Sequence, residues 1–142
     1  MTSRTIFACL AFVVLGSTTL AQKTTRMLMH TFQDGSTLIH VAVVDMSPTP
    51  RGVITSPNAP ARQRVFTVSH QQFEQMWRTL QSSGAEKYAG GEGASRTFDA
   101  QNYYVFSVGY MPNGKKTNYV VPKPRASSSL VSLARQLKAY AH

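Results

Sequence analysis

The chain is 142 residues long, 42% apolar and 15% charged, with 15 Lys and Arg against 6 Asp and Glu and a net charge of +9. Such a composition fits one globular domain. It excludes a multidomain enzyme, a coiled coil, a collagen-like repeat and a highly charged disordered chain.

The first element in chain order is a leader. Arg4 is the only charge in residues 1–21, residues 6–15 are an unbroken apolar run of ten, and Thr19 and Ala21 are the small residues a signal peptidase inspects. Ten apolar residues are too few for a bilayer core, which needs about twenty. Cleavage after Ala21 is therefore expected, with a secreted or periplasmic product that has no transmembrane segment. The only cysteine, Cys9, leaves with the leader, so the mature chain of 121 residues has no disulfide, no thiolate metal site and no thiol nucleophile. With Arg4 gone, 14 basic residues face 6 acidic ones, a net charge of +8 that favours anionic partners in general.

Residues 26–32 and 37–45 read as a hairpin, because Asp34-Gly35 between two β-type runs supplies the positive φ that tight turns demand. Two registers are open to it. A two-residue Asp34-Gly35 turn sends His30 and His40 to opposite faces, whereas a bulge at Gly35 puts them on one face. Residues 46–61, with prolines at 48, 50, 57 and 60, read as a long loop in which residues 53–55 make at most a short edge contact. Strand character returns over residues 62–68.

At Ser69 the apolar period changes from 2 to 3.6. Phe73, Met76, Trp77 and Leu80 then share a helical face over residues 70–83. Ser69 and Gln72 form a capping box, Val68 and Phe73 a hydrophobic staple, and Gly84 the stop. The glycine-rich stretch 84–100 reads as a flexible connection. Residues 102–111 and 115–121 form a second hairpin about Pro112-Asn113-Gly114, and Ser127, Ser128 and Ser129 offer caps for a last helix with Leu130, Leu133, Ala134, Leu137 and Tyr140 on one face. The order β-β-β-α-β-β-α predicts an α+β domain, a mainly antiparallel sheet of about five strands with two amphipathic helices on one face.

No catalytic motif stands out. His30 and His40 are weak metal candidates without H-x-H or H-x-x-x-H spacing, the chain has no G-x-S-x-G elbow and no S-x-x-K, and Ser69 beside His70 is committed to capping. The densest chemistry is aromatic and basic. On the second hairpin Tyr104, Phe106, Val108 and Tyr110 must face the core, which leaves Tyr103 and Tyr119, with Lys115, Lys116, Lys123 and Arg125, as the candidate ligand-binding residues. The expectation is an exported, non-catalytic binding or inhibitor-like domain without a cofactor, contacting a protein or an anionic envelope polymer, with nucleic acid not expected outside the cytosol. A small hydrolase or metal enzyme using His30 and His40, and a self-assembling structural domain, are the alternatives.

Overall fold

The computed structural model describes residues 25–59, 62–90, 99–111 and 114–142. The expected leader lies outside the described residues, as do Gly91 and Gly93 of the glycine-rich connection and Pro112 and Asn113 of the second turn.

Six strands form one antiparallel sheet: β1 (Thr25–Asp34), β2 (Thr37–Val44), β3 (Arg51–Thr55), β4 (Arg64–Thr67), β5 (Tyr103–Met111) and β6 (Lys115–Pro122), in the spatial order β4-β3-β2-β1-β5-β6. The period of 2 along each strand divides it between two faces. Leu28, His30 and Phe32 on β1, Val41 and Val43 on β2, and Phe106 and Val108 on β5 are buried on one face. Helices α1 (His70–Ser82) and α2 (Ser128–Ala139) cover that face. They contribute Phe73, Met76, Trp77 and Leu80 from α1 and Leu130, Leu133, Ala134 and Leu137 from α2. Each large apolar side chain taken out of water here stabilises the fold by about 1.5–3 kcal/mol. This is the expected α+β class. With a single cysteine in the sequence, no internal disulfide assists the core.

The described residues form six strands, not about five, because residues 51–55 form a full interior strand. β3 pairs with β2 from His40↔Thr55 to Val44↔Arg51 and with β4 from Arg51↔Thr67 to Ile54↔Arg64. The prolines flank this strand at 50 and 57 and leave every donor from 51 to 55 intact, so they bound a strand instead of breaking one. β4, shorter than the predicted 62–68, is one edge of the sheet, and β6 is the other.

The first hairpin also differs from both predicted registers. Asp34 pairs with Thr37, so the loop is Gly35-Ser36, with Gly35 at φ 60° in the first loop position. Glycine in that position, followed by a residue at negative φ, is the type II′ arrangement that suits the strand twist. His30 consequently faces Val41, and His40 faces Thr31.

The predicted helix starts hold. Ser69 accepts from the Gln72 amide at 3.0 Å while Gln72 accepts from the Ser69 amide at 2.8 Å, and Ser127 accepts from the Leu130 amide at 3.3 Å. Part of the connection after α1 is ordered as a 3-10 turn, Ala85–Tyr88, and Ala89 bridges to Tyr119 on β6.

Candidate functional site

At one end of the sheet β1 and β5 part company. Their ladder ends at Thr31↔Val105, yet β1 continues with β2 as far as Asp34↔Thr37, and β5 continues with β6 back to Tyr103↔Pro122. The two halves of the sheet fork, and a cavity of about 300 Å³ occupies the fork. Its walls are His30, Phe32 and Gln33 from β1 and Tyr103 and Tyr104 from β5. α2 closes one side with Val131, Ala134, Arg135 and Lys138, an i, i+3, i+4, i+7 stripe next to the one that packs in the core. Lys123, in the short turn after β6, completes the rim.

His30 forms the floor. It is 2% exposed, stacked on Phe106 with ring centroids 4.4 Å apart, and 5.5 Å from Phe32 on its own strand. Nδ1 lies 2.9 Å from the Val105 carbonyl oxygen. A carbonyl only accepts, so Nδ1 carries the proton and Nε2 carries the lone pair. Burial, with a smaller contribution from the positive charges of Lys123 and Lys138, pushes the His30 pKa down to about 4, against the hydrogen bond to Val105. At neutral pH the ring is therefore uncharged, and Nε2 acts as a hydrogen-bond acceptor. A general base works best with a pKa near the operating pH, which this ring lacks.

The rim is cationic. The Lys138 ammonium stands 5.6 Å from the centroid of Phe32 and the Lys123 ammonium 5.4 Å from that of Tyr104, so two of the cations lie against aromatic walls. Arg135 adds a third. Among the described residues no Asp or Glu lines the cavity. Three cations beside a buried, neutral histidine make a site that attracts an anionic group and offers an acceptor beneath it.

Of the six residues expected to bind ligand, Tyr103 and Lys123 line this cavity, and Arg125 shares the short turn with Lys123. Lys115 and Lys116 lie at the far end of β6, about 25 Å away along an eight-residue strand. Tyr119 faces the helices and lines a separate cleft of about 110 Å³ with Trp77, Tyr110 and Glu86; burial, then Glu86 and Tyr110, raises its pKa. His30 and His40 point to opposite faces of the sheet and cannot share a metal ion. His40 is instead engaged through Nδ1 with the Thr31 hydroxyl at 2.7 Å.

Sequence reasoning missed Phe32, Tyr104, Arg135 and Lys138 as site residues. Tyr104 reads as core from its alternation, and Arg135 and Lys138 read as helix-end cations. The stripe Val131, Ala134, Arg135, Lys138 sets Arg135 and Lys138 on one helical face, but nothing local ties that face to Phe32 or Tyr104.

A second polar cluster fixes the opposite end of the sheet. Arg26 donates to Asp45 at 2.7 Å and to Glu74, and its guanidinium lies 5.1 Å from the centroid of Phe73 and 5.3 Å from that of Trp77. It ties β1 to α1, and Arg26 holds the Glu74 carboxyl below the usual carboxylate range. Its partners are satisfied within the fold, so the cluster is structural. No helix among the described residues is long and apolar enough to cross a membrane. No protein-family model, curated protein or solved structure matches the chain.

Proposed function

We propose that the chain is an exported, non-catalytic binding domain whose ligand places an anionic group in the fork between β1 and β5. The observation that carries this reading is the pairing of Lys123, Arg135 and Lys138 around one cavity with no carboxylate lining it among the described residues. Cations on an open surface mostly report solubility. Cations gathered over a concave site with aromatic walls provide a place where an anion is held. The composition of the leader supports the export half, and the net charge of the mature chain agrees with an anionic ligand.

The binding half is tested by thermal unfolding in inorganic phosphate and sulfate. A ligand at ten times its Kd stabilises the folded state by about 1.4 kcal/mol, which raises Tm by several degrees. The rise is expected in the wild-type protein and in K115Q/K116Q, and is expected to vanish in K123Q/R135Q/K138Q. Equal shifts in both variants would place the anion elsewhere. The export half is tested by the intact mass of the protein recovered from its native cell, which is expected to lack residues 1–21.

A further inference from the structure

The floor and walls of the same cavity constrain its ligand more closely than the rim does. His30 presents an acceptor, Nε2, and makes no hydrogen bond to a described residue other than the one from Nδ1 to Val105. A simple inorganic anion has nothing to donate to it unless protonated. Beside the polar Thr31, Gln33 and Tyr103, the lining includes two aromatic rings, Phe32 on β1 and Tyr104 on β5, and each already carries a lysine ammonium near its ring. The volume, about 300 Å³, is at the lower end of small-molecule sites, roughly 300–1,000 Å³, and suits one compact molecule better than a polymer chain.

Building on the rim as an anion site, we propose that the ligand is a small aromatic or similarly flat organic acid. Its anionic group lies among Lys123, Arg135 and Lys138, its ring lies against Phe32 and Tyr104, and a hydroxyl or N–H at the other end donates to His30 Nε2. Each part of the ligand answers a different part of the cavity. The anion supplies attraction, the ring replaces water against the aromatic side chains, and the donor supplies selectivity, because an acceptor that the ligand closes off from water is costly to leave without a partner.

The test compares benzoate, the three hydroxybenzoate isomers, phenol and inorganic phosphate by calorimetric titration of the wild-type protein and of His30→Phe. Phenylalanine keeps the stacking on Phe106 and removes the acceptor. One hydroxybenzoate isomer is expected to bind at least about tenfold more tightly than benzoate, the worth of one hydrogen bond to a buried group. Phenol is expected to bind more weakly than that isomer by a similar factor, because it lacks the anion. In His30→Phe the ratio of the affinities for that isomer and for benzoate is expected to fall to near one. Equal affinity for benzoate and every isomer, phenol binding as tightly as the acids, or a preference that survives in His30→Phe would each overturn the proposal. Should His30→Phe fail to fold, the ring ¹⁵N resonance of Nε2 in the wild-type protein gives the answer directly: it is expected to move on adding the preferred isomer but not on adding benzoate, and no movement overturns the proposal. If phosphate binds in the cavity and no organic acid does, the anion reading stands and this proposal falls. If no anion of any kind binds there, both fall.

Discussion

His30 concentrates the chemistry of the molecule in one side chain, and its ionisation is coupled to folding. The ordinary pKa of 6.5 applies in the unfolded chain, while burial holds the folded value at about 4. Between these values the unfolded state binds a proton that the folded state does not. Stability is therefore complete above pH 6.5 and falls as the pH drops towards 4, by about 1.4 kcal/mol per pH unit. His40, also held below its ordinary value by burial and by Lys116, adds to the same trend, but it does so equally in His30→Phe. Urea unfolding of the two proteins at several pH values is expected to show a steeper acid loss in the wild-type protein; parallel curves would mean that His30 is not buried as described. Arg26 is the other residue whose effect reaches beyond its neighbours. Arg26→Ala is expected to cost about 1–3 kcal/mol, because Glu74, Asp45 and the faces of Phe73 and Trp77 each lose the guanidinium, with Asp45 keeping only His70 at 3.3 Å. Arg26→Lys is expected to restore only part of this loss in the same unfolding assay, since a compact ammonium cannot bridge two carboxylates while lying on a ring.

Among the elements, β3 shows how a local signal is overridden. Four prolines in residues 46–61 argue for a loop, but residues 51–55 retain their donors, and those from Arg51 to Ile54 are paired on both sides. Gly52 makes that packing possible. It pairs with Phe66 on β4, and a Cβ at Gly52 would run into the Phe66 ring, which stacks on Tyr140 with centroids 4.4 Å apart. Gly52→Ala is expected to destabilise the fold by about 1–3 kcal/mol, the range for overpacking, and Gly52→Ala/Phe66→Leu to recover part of it in thermal unfolding. The helices were far more legible than this strand. Ser69 with Gln72 marks the start of α1 by a local hydrogen-bond pattern, and Ser69→Ala is expected to cost about 1 kcal/mol. Caps and apolar periods are written within a few residues of one another. The Gly35-Ser36 loop is equally local, but Asp34-Gly35 is the more familiar pair of turn residues; moving the loop by one position slides the pairing by two residues, so His30 meets Val41 instead of Ile39 while the two histidines stay on opposite faces.

At the scale of the whole molecule, the site comes from an event that involves three distant segments. The fork exists because the β1–β5 ladder stops at Thr31↔Val105 while both outer ladders continue, and α2 supplies two of the three cations that close over it. Tyr103 and Lys123 were readable as candidates because aromatic and basic residues are dense on the second hairpin. Phe32, Arg135 and Lys138 were not, because each has an ordinary local role and acquires another only when the tertiary fold brings it to the cavity. The basic residues at the far end of β6 belong to a different part of the surface, so net charge alone could not separate site from solvation. Whether anions collect in the fork is measured most directly by a backbone-amide NMR titration of the wild-type protein with inorganic phosphate. Shifts concentrated at Phe32, Tyr103, Tyr104, Lys123, Arg135 and Lys138 are the predicted result; shifts centred on Lys115 and Lys116, or none at all, would contradict it.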